Sequence, residues 1–581
     1  MRAVCLLASV AAASSFNALS SVPGRAASLH FSASIRAAGT NASWQTLAVL
    51  ETMAKDASGP GGCGYFAHLN NWTASWASFE LGADGKEVEV LVQRASSPIT
   101  KAVVKPESAS ARVVSIDSTG VRIAVYASAR FHLEVDGGMD ETNTGPDYTG
   151  PPMHTMAIFA EPNDPSAPSK GQPGVVWIEP GDTIPSASAL PANTSVLAFG
   201  PGVHRVAPNS DGYQVYTLPD KVRLHLSLGA FLHAGLTSDP GATFGTQMLH
   251  VSGHGVISGE ENLREAHSDS RHLSRSTPHA GCADNNAPRG LSIQGAATAI
   301  LDGVTMVDHP NLHIIATAVG DCVDGAPPGV ASNLKVLGWR ANGDGFHVMG
   351  LWKVSDLFLR TQDDNMYTHM STKAPKPGCP EPIFERLTNW NDANGANYLI
   401  TGYGSTLRDS DILYMRTSYA WWSGGRAFTN RRMMSAINQV VSNVRVHDPL
   451  PSMNTFQIDE SDGPPGPVEE RDGGDNTGRT FHNVTFINIT VANLSTIRTC
   501  PADGAAGCNC RPACSAGPLP AGMPNVLLGG ADKSQANNIS GLRFVNVTVA
   551  GMAVHDLPSH AAGWLNVSGM VFDVTLDGTP L

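Results

Sequence analysis

The sequence predicts an all-β protein in two parts, a β-sandwich followed by a parallel β-helix. Three observations carry this. Glycine (59 residues) and proline (39) are plentiful, while long amphipathic helical patterns are scarce. Residues 75–135 contain alternating runs separated by Asp-Gly and Thr-Gly turns. The second half repeats one short turn-and-strand pattern. At 581 residues the chain exceeds one ordinary core, which agrees with two domains.

The first 25 residues are read as a leader. Arg2 precedes an apolar run from Ala3 to Ala13, and small residues follow, the shape of a secretory signal peptide. No acidic residue occurs before Glu51, and Ser and Arg recur, so a bipartite leader to a plastid or another organelle is the alternative to secretion. No other apolar run approaches ~18 residues, so no membrane span is expected.

Residues 26–190 are assigned to the sandwich. SFELGADGKEVEVLVQR, SARVVSIDSTGVRIAVYAS and ARFHLEVDGG alternate apolar and polar residues between turns, the pattern of antiparallel strands with one buried face. The stretch 161–191 is rich in Pro, Ser and Gly and reads as a linker, although VVWIEP inside it has strand character.

Residues 191–581 are assigned to the β-helix. The recurring pattern is apolar, two small or polar residues, apolar, any, apolar. It appears as LDGVTM at Leu301, ASNLKV at Ala331, VSDLFL at Val354, VSNVRV at Val441, FHNVTF at Phe481, ISGLRF at Ile539 and VSGMVF at Val567. Asn, Asp, Gly and Ser at the inner positions mark a turn, and the residues after it alternate as a strand does. Intervals from 23 residues upward suit stacked coils with loops of unequal length better than propeller blades.

Cysteine and charge narrow the setting. Eight cysteines lie beyond the leader, an even number suited to disulfides in an oxidising compartment, and Cys500, Cys508, Cys510 and Cys514 read as a pinned loop rather than a metal knuckle. Asn41, Asn71, Asn193, Asn483, Asn488, Asn493, Asn538, Asn546 and Asn566 open glycosylation sequons; several also suit turn asparagines followed by a strand threonine. A net charge of −13 argues against a nucleic-acid or other polyanionic partner. No cofactor or metal is expected, and the chain is expected to act as a monomer.

Three carboxylates stand out in GWRANGDGFHVMGLWKVSDLFLRTQDDNMYTHM. NGDGFHV (Asn342–Val348) aligns with QDDNMYT (Gln362–Thr368) at a shift of 20, which matches Asp344 with Asp364, Phe346 with Met366 and Val348 with Thr368. On neighbouring coils, matched positions stack at ~4.8 Å. Asp344 and Asp364 would sit one above the other with Asp363 beside them, and like charges that close resist joint ionisation. Glycoside hydrolysis uses such carboxyls, one to protonate the leaving oxygen and another to activate water. Turn aspartates and a calcium site are the other readings that these residues leave open.

GDG followed by DD, on coils of this pattern, resembles the polygalacturonase-like clan of right-handed β-helix glycosidases. The order of parts is most similar to glycoside hydrolase family 49, the dextranase and isopullulanase family. FGPGVHRV (Phe199–Val206), HVSGHGVISGEE (His250–Glu261) and GWRANGDGFHVMG (Gly338–Gly350) add to it. The resemblance covers most of the chain from about residue 70.

It implies a sandwich ahead of a right-handed β-helix and an endo-acting, inverting hydrolase, dextranase-like on α-1,6 bonds. Asp363 would be the general acid, and Asp344 and Asp364 would flank the water as base. The family-like NTDG reads Asn342-Gly343-Asp344-Gly345 here, so a Thr has become Gly. A polygalacturonase would carry GHG downstream of DD and an RxK element. This chain has TGYGS (Thr401–Ser405) there and no RxK, which points to a neutral glucan. Its GHG, Gly253-His254-Gly255, lies upstream and reads as a structural turn.

A neutral glucan needs aromatic platforms and hydrogen bonds, for which Trp339, Tyr367, Trp390, Tyr403, Trp421 and Trp422 are candidates. Arg340, Lys373 and Arg426 are candidate polar partners. A polygalacturonase-like hydrolase, a calcium-dependent polysaccharide lyase and a non-catalytic cell-wall β-helix are the alternatives.

Overall fold

The computed structural model describes residues 15–54, 72–136, 154–262, 288–318, 328–340, 343–367, 381–391, 396–415, 426–431, 436–447, 456–459, 480–492, 526–529, 538–549, 552–553, 565–568 and 571–580. All nine cysteines, Lys373, Trp421 and Trp422 lie outside them, as do the sequons at Asn71 and Asn493. No helix among the described residues is long and apolar enough to cross a membrane.

Two sheets form the sandwich. One orders Phe16–Asn17, Thr73–Leu81, His154–Glu161, Ala129–Val135 and Ala102–Lys105, and Val49–Met53 also pairs with Thr73–Leu81. The other orders Gln45–Leu47, Phe31–Ala37, Val88–Arg94, Gly120–Val125 and Ala111–Asp117. The expected alternation holds: Val88, Val90 and Val92 face the core, while Glu89 and Leu91 are only half-buried. One pairing departs from the antiparallel expectation. Thr73–Leu81 and His154–Glu161 run parallel, because the chain between them crosses through the second sheet before it returns.

The N-terminal segment is built into this unit. Phe16 pairs with Leu81, and Arg25 bonds Glu260 of the β-helix at 2.9 Å. Gly229 leaves room for Leu19, since a Cβ there would lie 2.2 Å from its Cδ1. The fold therefore uses residues from Phe16 onward, inside the span read as a leader.

The second unit is the expected right-handed parallel β-helix. Its parallel stack starts with Val175–Ile178, the strand character noted in VVWIEP, which pairs residue for residue with Val196–Phe199. Successive coils build a 24-stranded and an 11-stranded sheet. The central coil shows the plan: Trp352–Ser355, then Phe358–Thr361, then Met366–Tyr367, with the third strand in the smaller sheet.

The repeated turn is left-handed. Gly303, Asn333, Asp356, Asn443, Asn483 and Gly541, the third residues of six of the repeats, all have φ between 52° and 83°. Glycine and short polar side chains tolerate that region, which explains the repeat's composition. Arg386 and Asp409 hold the same conformation on the coils between, in turns that the sequence pattern does not reveal. Amide side chains link the column: Asn443 Nδ2 donates to Asp409 Oδ1 at 2.9 Å, Asn488 Nδ2 to Asn443 Oδ1 at 3.0 Å and Asn546 Nδ2 to Asn488 Oδ1 at 2.8 Å. The sequon asparagines Asn488 and Asn546 thus serve as turn residues.

A continuous apolar core runs through the described coils of the helix, and its later coils stack Tyr398, Phe428 and Phe456 with centroids 5.8 and 5.1 Å apart. A second apolar layer seals the sandwich to the helix. Trp72, Trp76 and Phe159 from the sandwich meet Phe231, Leu337, Trp339, Phe358, Trp390 and Tyr414 from the coils. Polar pairs cross the same seam. Lys335 Nζ lies 2.6 Å from Glu161 Oε1 with both side chains fully buried, and Arg130 pairs with Asp356 at 3.0 Å. Burial opposes the Glu161 charge, but Lys335 beside it holds the carboxyl below the usual range.

Candidate active site

The site forms where the second strand of a coil turns into the third. Leu337 ends one such strand, and Phe346–Met349 follows; one coil later Phe358–Thr361 is followed by Met366–Tyr367. Phe346 pairs with Met366, so Asp344 stands in register with Asp364, as the 20-residue shift predicts. Backbone bonds lock the corner: the Gly345 N–H donates to the Asp364 carbonyl and the Phe346 N–H to the Asn365 carbonyl, both at 2.8 Å. Gly345 is required by this approach, since a Cβ would come within 2.3 Å of the Asn365 oxygen.

Asp344, Asp363 and Asp364 each place a carboxylate oxygen within 4.8 Å of the other two. Asp344 and Asp363 are buried and Asp364 is half-buried. The same spacing would let the trio close on a hard cation, and it is the one such group among the described residues.

Each carboxylate has its own support. The Ala396 N–H donates to Asp364 Oδ1 at 2.6 Å, and the Asp364 N–H donates to Asp363 Oδ1 at 2.9 Å. The Asp363 carbonyl accepts from Thr361 Oγ1 at 2.6 Å and Asn391 Nδ2 at 2.8 Å. Beneath them Asn365 Nδ2 donates to Asn397 Oδ1 at 2.9 Å. Asp344 is held from behind by His313, which is fully buried. Its Nδ1 lies 3.1 Å from the Asp344 carbonyl and 3.2 Å from that of Gly343, while Nε2 accepts from the His309 N–H at 3.4 Å. That pattern assigns the proton to Nδ1. Burial lowers the affinity of His313 for a second proton, so the ring stays neutral. Gly343 fits this arrangement: a Cβ there would meet the Arg340 carbonyl at 2.6 Å.

The remaining candidates divide. Tyr367, three residues after Asp364, is half-buried and stacks on His347 with centroids 4.8 Å apart. Tyr403, also half-buried, sits at Gly402–Tyr403 in the large sheet, whereas the strands that follow the carboxylates lie in the smaller one. Trp339 and Trp390 are turned into the seam with the sandwich instead of lining the mouth. They clasp the Arg360 guanidinium, 4.5 and 4.2 Å from their ring centroids, and Arg360 bonds Thr155 of the sandwich. Arg340 is committed to Asp308 at 3.2 Å and to the Asn262 carbonyl at 2.6 Å. Arg426 is in register with Ala396, and hence with Asp364 one coil further back. His254 bonds Glu80 of the sandwich at 2.7 Å, in keeping with a structural turn.

His347 is a site residue that the sequence reading did not single out. Its Nε2 lies 2.9 Å from Asp344 Oδ2. The alternation in GDGFHV carries a weak signal for it, because Phe346 and Val348 point inward and His347 must then point out beside the aspartate.

Known proteins resemble this chain in both sequence and fold. It is 25% identical over 308 residues to an isopullulanase of Aspergillus niger, covering 52% of this chain and 51% of the relative. It is 26% identical over 423 residues to a dextranase of Arthrobacter globiformis, covering 65% and 60%. The matches thus span about half to three-fifths of these relatives. No family model matches. Among solved structures, Dex49A from Penicillium minioluteum superposes with a TM-score of 0.62, covering 96% of each chain at 17% identity, a likeness of fold. The resemblance to the dextranase and isopullulanase family, glycoside hydrolase family 49, is borne out.

Proposed function

We propose that the chain is a secreted, endo-acting glycoside hydrolase that cleaves a neutral α-glucan, dextranase-like at α-1,6 bonds. The observation that carries this is the trio Asp344, Asp363 and Asp364, with oxygens within 4.8 Å of one another at the mouth of two consecutive coils. A trio this close offers one carboxyl to protonate the leaving oxygen and another to activate water. Asp363 takes the acid role and protonates the leaving oxygen. Asp344 and Asp364, stacked in register, receive the proton of the attacking water.

Inversion is assigned from the family resemblance. Facing carboxyls in inverting enzymes usually stand roughly 6.5–9.5 Å apart. Here all three rise from one wall, so their closest approach does not measure the span across a sugar. A neutral substrate is favoured because Arg340 is engaged with Asp308 and the downstream coils lack the GHG and RxK elements.

The test is an incubation with dextran, pullulan and polygalacturonate, each with and without a chelator. Reducing ends released from dextran or pullulan, indifferent to chelator, support the reading. Release from polygalacturonate alone overturns the neutral substrate, and chelator-sensitive products absorbing in the ultraviolet turn the trio into ligands of a lyase.

A further inference from the structure

We propose that His347 is the positioning residue for Asp344, an inference that rests on the hydrolase reading. His347 Nε2 lies 2.9 Å from Asp344 Oδ2, an ion-pair approach outside hydrogen-bond geometry, and this buried nitrogen has no hydrogen-bond partner among the described residues. The ring is not free to turn away. It lies against Tyr367 at an interplanar angle of 28°, and His347 and Tyr367 are register partners on adjacent strands. Phe346 and Val348, fully buried on either side, fix the strand so that position 347 can only face the carboxylates.

Asp344 is thereby gripped from two sides. His313 fixes its backbone through the carbonyl, and His347 faces one oxygen of its carboxylate. The imidazole packed against Oδ2 restricts the rotation of the group and leaves Oδ1 to receive the water proton. Without it, the carboxylate can turn toward Asp363 and Asp364 and share their proton, which removes the base. Geometric control of this kind acts on turnover more than on binding.

The test compares H347A, H347Q and H347N on dextran or pullulan. H347A should lower kcat about ten- to a hundredfold with KM changed less than about twofold. H347Q, whose amide N–H reaches about as far as Nε2, should recover most of the loss, and the shorter H347N should not. A second readout needs no substrate. In protein labelled with 15N-histidine, the Nε2 resonance of His347, identified by its absence in H347Q, should move in D344N. Wild-type kcat in H347A, or a resonance unmoved by D344N, overturns the inference. A wild-type chain that cleaves neither glucan overturns the hydrolase reading instead, and the resonance alone then decides the contact.

Discussion

Asp344 and Asp364 hold the same position on successive coils, fixed by the pairing of Phe346 with Met366 and by the Gly345 N–H bonded to the Asp364 carbonyl. The stacking that makes the β-helix stable therefore also forces two carboxylates together, and Asp363 completes the group. A turn aspartate alone would not need neighbours of like charge.

Replacing any one of the three by asparagine keeps size and hydrogen-bonding capacity but removes the acid–base function. D344N, D363N and D364N should each lower kcat on the glucan roughly 10²–10⁴-fold. Thermal unfolding should stay within a few degrees of wild type. Full activity in all three variants contradicts the catalytic assignment.

The buried pair Glu161–Lys335 ties the sandwich to the coil just before the site. E161Q strands a buried ammonium and should destabilise by about 3–5 kcal/mol. The double variant E161L/K335M removes both charges and should recover most of this. Calorimetry of the wild type, the single and the double variant checks it.

Stability should fall as the medium is acidified through the histidine range. Burial holds His132 to a pKa of about 3 and His225 and His233 to about 4, against 6.5 when exposed. An imidazole that binds its proton only after unfolding favours the unfolded chain. Stability is full above about pH 6.5 and declines below it, to about pH 4 for His225 and His233 and about pH 3 for His132. At pH 5 each costs about 2 kcal/mol. In H132F the fall in stability between pH 7 and 5 should shrink by about that amount, read from calorimetric scans.

The left-handed turn column gives a third stability test. Asn443, at φ 54°, exchanges amide bonds with Asp409 and Asn488. N443A and N443G lose the same bonds, but only alanine pays for the conformation. N443A should be less stable than N443G by about 1–2 kcal/mol. Equal stabilities would show that the turn relaxes.

Much of this was legible in the sequence for a physical reason: stacking is a translation, so a repeated pattern at a fixed shift reports register. NGDGFHV over QDDNMYT located the carboxylate stack, and the Asn, Asp and Gly of the short repeat located its left-handed turns. Arg386 was missed because arginine is not a turn residue, although its position in the stack imposes φ 54° all the same. Trp339 and Trp390 point out of the coils, where a sugar platform would stand. No local pattern says that the sandwich covers that face. His347 was missed because its partner Asp344 is set by the corner's geometry rather than by a motif.

The most direct measurement is proton NMR of the first products formed from dextran by the wild-type chain in the presence of a chelator. Inversion at the α-1,6 bond predicts new reducing ends that appear first as the β-anomer. Reducing ends that appear first as the α-anomer would contradict inversion, and no new reducing ends at all would contradict an aspartate trio built to cut a dextranase-like substrate.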